Sequence, residues 1–509
     1  MNGQQDAPGA ALPSWLAGLI VFAASGAVLV LEIVAIRLLA PYIGVTLQTN
    51  SAVIGMALAA IALGALVGGR LADVVNPRRL LAPALMVGGV LSMLTLPAVR
   101  IAGEASRGTD AGGVLLVAGI AIFAPAAVLS AVSPLVIKLQ LRDLAATGSV
   151  VGRLSGIATA GAIAATFVTG FVLVAALPST TIVLSLGLGL VIGGAGLQLA
   201  LRLRRPATRG ADGGAAGVAG IAVAGLIAAG LVSVAPVACD VETAYHCARV
   251  VQDPIRPSGR TLQLDNLRHS YVDLNDPTHL EFAYIQAIAS AADVFRPPAE
   301  PVRALHVGGG GFTMPRYLAA TRPGSSSLVL EIDRGVVELD HQRLGLRIGP
   351  ELRVRIGDGR TGVRAQSPGT FDLVVGDAFG GVAVPFHLAT REAAAEVRRT
   401  LRPGGLYALN VIDYPPSALV RAEIATINAE FEHVAVVAAP ESLDGRSGGN
   451  FVLLASDAPL PLPALSRRLA EHNRNLTLAT RERLTAFVAG AQPLTDDYAP
   501  VDQLLGTAG

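Results

Sequence analysis

The chain has 509 residues, with 39 Lys+Arg against 38 Asp+Glu, a formal net charge of +1, and 52% hydrophobic but only 4% aromatic residues. Balanced charge and sparse aromatic stacking platforms exclude nucleic acid as the expected partner. The length exceeds one typical domain, and the averages hide two unlike halves: residues 1–236 hold 13 basic and 7 acidic residues, whereas 237–509 hold 26 and 31, a soluble balance.

A bilayer core of about 30 Å takes roughly 20 apolar residues per helical span. Such runs fall at about 13–39, 50–72, 80–99, 112–137, 150–176, 180–201 and 215–236. They predict a multi-pass protein of the cell membrane, with seven spans and the lipid bilayer as partner. The first run is too long for a signal peptide and six more follow, so no cleaved leader is expected.

Lys and Arg collect in cytoplasmic loops. Arg70, Arg78 and Arg79 follow the second run, Lys138, Arg142 and Arg153 surround the gap after the fourth, and Arg202, Arg204, Arg205 and Arg209 follow the sixth. The alternate gaps hold only Arg100 and Arg107. This bias puts the N-terminus in the cytoplasm and, with seven spans, the soluble half outside; one span more or fewer would reverse that side. Cys239 and Cys247, just past the last run, either close a small disulfide suited to an oxidising compartment or stay as two thiols.

Within the spans, the small-residue pairs Gly64–Gly68 and Gly152–Gly156 are expected to let helices approach closely. Glu32 and Arg37 are ionisable groups at or near membrane depth. Five residues apart, they are poorly spaced to pair on one helix, so each looks to another helix, or Arg37 snorkels to the interface. Gly68-Gly69-Arg70-Leu71-Ala72-Asp73 with Arg78-Arg79 resembles the second-to-third helix loop of major-facilitator transporters, which is cytoplasmic there.

In the soluble half, 241–251, 261–265 and 269–274 read as short antiparallel strands. A helix is expected from Asp276-Pro277 to about 292, ended by Pro297-Pro298. From 302 strands and helices alternate, as in a parallel sheet with crossovers. The strand Val302–Val307 runs into Gly308-Gly309-Gly310-Gly311 and a helix near Met314–Ala320, where a ligand can approach the backbone closely. The next strand ends in Glu331-Ile332-Asp333, placing a carboxylate where it can accept both hydroxyls of a ribose. A third ends in Gly357-Asp358-Gly359, where a side chain can meet an adenine amino group, and a fourth in Gly376-Asp377-Ala378-Phe379. All four fall at carboxyl ends of successive strands, where open α/β sheets bind ligands. Asp377 can take a proton from, or orient, an amine attacking a sulfonium carbon. The stretch from Val384-Pro385 to Glu392 reads as a covering loop, its His387 either a site base or a solvent-facing residue. No metal-ligand spacing stands out.

Residues 241–415 resemble the spermidine synthase family of aminopropyltransferases, and its membrane-fused branch in particular. The resemblance is carried by Leu262–Ser270 (LQLDNLRHS), Val307–Arg316 (VGGGGFTMPR), Leu330–Asp333 (LEID), Gly357–Gly359, Val374–Phe379 (VVGDAF) and Leu401–Gly405 (LRPGG). It implies an antiparallel β subdomain before a Rossmann-like, methyltransferase-type α/β domain. It further implies decarboxylated S-adenosylmethionine as aminopropyl donor, methylthioadenosine as product, and commonly a homo-oligomer. By position, Glu331 would hold the ribose hydroxyls, Asp358 the adenine, and Asp377 would be the catalytic carboxylate. Gly308, Gly309, Gly310, Asp333, Gly359 and Pro385 would line the donor site. His246 and His269 stand where the family has glutamines near donor and acceptor, and Tyr284 would face the acceptor amine.

Three departures accompany the resemblance. Gly311 stands where the family has an aspartate that grips the donor's aminopropyl ammonium. Tyr284-Ile285-Gln286 replaces a Tyr-His-Glu stretch, and Gly380-Gly381 stand where a second acidic residue would follow Asp377. The expected organisation is a membrane domain over 1–236, a β subdomain over 237–296 and the nucleoside-cofactor domain over 297–509. The leading expectation is aminopropyl transfer to a small amine such as putrescine. The alternatives are an S-adenosylmethionine-dependent methyltransferase acting on a membrane-associated substrate, and a transporter or sensor whose soluble domain only binds a nucleoside or polyamine.

Overall fold

A computed structural model describes residues 12–107, 111–141, 143–203, 213–235, 237–297 and 299–506, which form two compact units, Met1–Cys247 and Ala248–Gly509. Arg142, Arg204, Arg205, Arg209 and Pro298, named above, lie outside the described residues.

The first unit is helical: α1 (Ser14–Ile43), α2 (Leu47–Val74), α3 (Pro77–Ala105), α4 (Ala111–Ser130), α5 (Val132–Gln140), α6 (Thr147–Val168), α7 (Val174–Ala176), α8 (Ser179–Leu203) and α9 (Gly213–Val234). Among the described residues six helical stretches are long and apolar enough to cross a membrane, α4 with α5 and α6 with α7 each counting once; within α9 the apolar stretch Ala219–Val232 is shorter. A π-helical turn, Thr169–Leu173, joins α6 to α7.

Close approach is real at one of the two expected glycine pairs. A Cβ on Gly64 would collide with the Ala127 carbonyl, and one on Gly68 would sit 2.7 Å from the Ala131 Cα, so α2 lies directly on the α4–α5 break. The other pair does not pack: Cβ atoms on Gly152 or Gly156 would meet nothing within 4 Å, because that face of α6 has no neighbouring helix in the unit.

Polar contacts sort the helix ends into two sets. At one end Gln140 Nε2 donates to the Leu12 carbonyl at 2.8 Å and Lys138 pairs with Asp73 at 2.8 Å. At the other, Arg107 donates to the Pro41 carbonyl at 2.8 Å, and Arg100 reaches Thr180 Oγ1 at 3.1 Å and the Val232 carbonyl at 3.0 Å. This second end also receives the segment after α9. Cys239 and Cys247 are bridged, with Cα atoms 5.3 Å apart. Their loop, which contains the two-residue strand β1 (Val241–Glu242), docks on the helix ends. Arg37 Nε meets Glu242 Oε1 at 3.3 Å, and its other nitrogens donate to the Thr243 and Ala244 carbonyls. The backbone N–H of Ser179, at the start of α8, donates to Glu242 Oε2 at 2.9 Å. Arg37 therefore pairs with neither Glu32 nor another span, and the docked loop carries the first unit past residue 236 to 247.

The second unit begins with an antiparallel sheet of β2 (Cys247–Gln252), β3 (Gly259–Leu264) and β4 (Leu267–Asp273). Asp265, at positive φ, turns β3 into β4. The expected helix from 276 starts later: Asp276 Oδ1 accepts from the Thr278 N–H at 3.0 Å and from its hydroxyl, a side-chain turn that competes with helix. Helix α10 runs Ala283–Phe295 instead.

A larger sheet follows, alternating β5 (Arg303–Val307), α11 (Thr313–Thr321), β6 (Ser326–Glu331), α12 (Arg334–Arg343), β7 (Leu352–Ile356), α13 (Gly359–Arg364), β8 (Phe371–Gly376), α14 (Arg391–Thr400), β9 (Leu401–Asp413), α15 (Ala418–Asn428), β10 (His433–Ala438), β11 (Gly449–Ser456) and β12 (Thr477–Leu478). The strand order is β12-β10-β11-β9-β8-β5-β6-β7, with β5 to β9 parallel and the last three antiparallel. The central strands β5 and β8 are buried on both faces, as doubly wound sheets require, whereas the edge strand β7 exposes Arg353 and Arg355. The order reverses at β5, with β6 on one side and β8 on the other, so a crevice opens at the carboxyl ends of these strands.

Candidate active site

Each of the first four parallel strands delivers its last residue to the crevice. At the end of β5, Gly308 has φ +98, and a Cβ there would collide with the Asp377 carbonyl. Glycine thus lets the β5 and β8 ends lie against each other, fixing the Asp377 backbone, whose N–H donates to the Val307 carbonyl at 2.9 Å. The Gly311 N–H donates to Ser270 Oγ of β4 at 2.8 Å, so the small sheet braces the glycine loop.

At the end of β6, buried Glu331 accepts the Gly309 N–H at 2.7 Å and the Asp333 N–H at 2.8 Å. Asp333 is buried and caps α12, accepting the Gly335 N–H at 2.8 Å, and so holds the strand-to-helix turn. At the end of β7, Asp358 caps α13 through the Thr361 N–H at 2.8 Å and meets His387 Nε2 at 2.9 Å. Burial pushes its carboxyl up, but hydrogen bonds from Thr361 and His387 outweigh this and hold it below the usual range. His387 thus belongs with the crevice, on the loop that starts at Val384-Pro385. Under this end of the sheet lies a narrow space walled by Val307, Ala378, Val384 and Leu388, with Arg360 and Glu396 also in its lining.

At the end of β8, Asp377 Oδ2 accepts the Tyr284 hydroxyl at 3.1 Å and Oδ1 accepts Asn410 Nδ2 at 2.8 Å. Asn410, on β9, in turn accepts from Asn450 Nδ2 on β11 at 3.0 Å. Burial raises the Asp377 carboxyl to about 6, against the downward pull of these two donors. Burial and the nearby carboxylate raise the Tyr284 phenol well above its ordinary value, so it stays a donor. A carboxylate held in this way, ionised at neutral pH, can accept a proton from an amine placed against it. The small cavity in front of it is bounded by Ser270, Tyr284, His306, Gly308 and Met314, among others.

The two remaining predicted residues lie on other elements. His269 is the extra residue of a β-bulge in β4, since Leu262 pairs with Ser270 and Gln263 with Arg268. Its neighbour Ser270 forms the cavity wall. His246 belongs to the first unit, where its N–H donates to Thr243 Oγ1 at 2.8 Å in the docked loop. Asn410, Asn450, Ser270 and His306 escaped the sequence reading. Only the alternation of β9 could have flagged Asn410, a polar residue in an otherwise apolar strand.

No family model matches the chain. A polyamine aminopropyltransferase of Vibrio vulnificus is 30% identical over 206 residues, covering 40% of this chain and 64% of the relative. A spermidine synthase of Dictyostelium discoideum is 32% identical over 130 residues, covering 25% of this chain and 45% of the relative. The chain therefore spans less than two thirds of either relative's length. A crystal structure of a probable spermidine synthase from Corynebacterium glutamicum is similar to 52% of this chain over 99% of its own, at 29% identity and a TM-score of 0.48.

Proposed function

We propose, from its likeness to a polyamine aminopropyltransferase and a spermidine synthase, that the chain is a membrane-anchored aminopropyltransferase of the spermidine synthase family acting on a small amine. The observation that carries the proposal is Asp377, held between Tyr284 and Asn410 at the mouth of a nucleoside-type crevice. In the proposed reaction the donor is decarboxylated S-adenosylmethionine, with Glu331 facing its ribose, Asp358 its adenine, and the glycine loop passing beside its sulfonium. The acceptor nitrogen attacks the carbon bound to sulfur, methylthioadenosine leaves with the bonding electron pair, and Asp377 takes the amine proton. Displacing His387 from Asp358 is part of admitting the adenine.

Gly311 favours a second reading, methyl transfer from S-adenosylmethionine, which needs no grip on an aminopropyl ammonium. A Cβ at Gly311 would lie 3.0 Å from both Ser270 Cβ and Val272 Cγ2, so β4 occupies the space an aspartate would use. Calorimetry of the full-length protein with methylthioadenosine, S-adenosylmethionine and the decarboxylated donor separates the readings. Binding of the decarboxylated donor and methylthioadenosine is expected. Tight binding of S-adenosylmethionine alone would select methyl transfer, and binding of none would sink both.

We further propose that the catalytic unit faces away from the cytoplasm. Leu12, Asp73 and Lys138 mark one end of the first unit, and the disulfide loop marks the other. Counting α9 as a crossing beside the six longer apolar stretches makes the number of crossings between them odd. Arg70, Arg78, Arg79 and Lys138 share the Leu12 end, which favours the cytoplasm there, and the disulfide favours an oxidising compartment at the other. In intact cells, a membrane-impermeant maleimide should label Cys239 and Cys247 only after reduction by an impermeant phosphine. Labelling that requires permeabilisation would reverse the orientation.

A further inference from the structure

We propose that His306 is a donor-binding residue, whose Nδ1 receives the terminal ammonium of the donor's aminopropyl tail. The inference rests on the aminopropyltransferase reading and adds a residue to its donor site. An ammonium that leaves water for a buried cavity needs lone pairs to replace its hydration. Gly311 has no side chain to offer one, and Ser270 and Val272 fill the space beside it.

The sheet places the imidazole. Side chains alternate along β5, so His306 shares a face with Ala304, which belongs to the apolar cluster that includes Ile288 of α10. In register His306 stands between Val329 of β6 and Val375 of β8. Two residues beyond Val375 comes Asp377, whose carboxylate meets Tyr284 of α10. His306 therefore lies one step deeper than Asp377, in the wall of the cavity in front of it.

Burying an imidazole between two valines is unfavourable unless its polar atoms find partners. Nε2 lies 3.2 Å from Ser327 Oγ. Nδ1 has no hydrogen-bond partner among the described residues and is not sealed in the core, so it opens on the cavity that the residue borders. Burial lowers the ring to about 3, so it is neutral, with one N–H and one lone pair. The proposed role requires the tautomer in which Nε2–H donates to Ser327 Oγ, which leaves the lone pair on Nδ1. A hydrogen bond from an ammonium to that nitrogen is charge-assisted and stronger than one between neutral groups.

The other polar side chains of the cavity already have protein partners. Thr313 Oγ1 donates to the Tyr271 carbonyl at 2.9 Å, Ser270 Oγ accepts from the Gly311 N–H, and the Tyr284 hydroxyl donates to Asp377. Asp377 is the group that meets the acceptor amine in the proposed reaction. The assignment places no limit on the acceptor, which has Asp377 and the adjoining vestibule of Tyr271, Glu281 and Phe282.

The test is calorimetry of the full-length protein in nanodiscs with three ligands. These are decarboxylated S-adenosylmethionine, its propyl analogue, which keeps the sulfonium and lacks the ammonium, and methylthioadenosine, which lacks both. The unaltered protein should prefer the decarboxylated donor to the propyl analogue by roughly tenfold or more, the worth of a hydrogen bond to a charged group. His306→Leu should erase that preference and leave binding of the propyl analogue and of methylthioadenosine in place. His306→Asn, whose Oδ1 falls near the position of Nδ1, should restore part of it. A preference that survives His306→Leu would overturn the proposal. So would an equal loss of all three ligands, which would assign His306 to the fold alone. Unaltered protein that binds none of the three would end the parent reading, and this inference with it.

Discussion

Asp377 is subject to opposing influences, and the balance sets its chemistry. Burial holds its carboxyl at about 6, while the Asn410 amide and the Tyr284 hydroxyl favour the ionised form. Transfer needs the carboxylate, so kcat/KM should climb as pH rises through about 6 and level off above it. Asp377→Asn should cost roughly 10²- to 10⁴-fold in turnover and abolish that acid limb. Asn410 acts through Asp377 and is a positioning residue. Asn410→Leu removes a donor to the charged form, so the acid limb should move to higher pH while turnover falls roughly tenfold. A turnover loss with an unmoved limb would assign Asn410 to the fold alone. The Asn450–Asn410–Asp377 chain was invisible in the sequence because it crosses three strands whose neighbours are set by the sheet order. Asp377 itself was legible, since a glycine before an acidic residue at the end of an apolar run marks a strand entering a crevice.

Helices and strands were read unevenly, for physical reasons that differ by element. The parallel strands announced themselves as apolar runs ending in glycine or acid, and their bounds held to within a residue or two. The start of α10 did not, because Asp276 makes a local turn that periodicity cannot register. Glycine pairs gave no hint of which helix they would meet: Gly64 and Gly68 bear on α4 and α5, whereas Gly152 and Gly156 bear on nothing in the unit. Gly64→Val should therefore lower the thermal midpoint of the membrane unit in detergent and Gly156→Val should leave it in place, with equal effects counting against the packing account. Helix α15 carries a different liability, Glu423, buried in the core with Oε1 lacking a hydrogen-bond partner and its carboxyl raised to about 8. An acid whose folded value is raised binds its proton more tightly folded than unfolded. Stability should thus decline from about pH 4.5 to about pH 8, by up to about 1.4 kcal/mol per pH unit. Glu423→Gln should flatten that decline, as measured by denaturant midpoints at pH 5 and pH 8.

At the scale of the whole molecule, the two units pose a question of supply. If the catalytic unit faces away from the cytoplasm, its S-adenosyl donor must be delivered to the side opposite its synthesis. The disulfide loop ties the first unit together at that end, with Glu242 touching both Arg37 of α1 and Ser179 of α8. Replacing both cysteines by serine should lower the unit's stability by up to about 2.5 kcal/mol, the chain entropy of so short a loop, and a reductant should produce a similar drop in the unaltered protein. The docking of that loop also imposes an order on biogenesis. Arg37 is inserted early, yet its acceptors lie some 205 residues downstream. Helix α1 cannot make these contacts until the ribosome has delivered the segment after α9, so the helical unit is completed only once residues 239–247 have emerged.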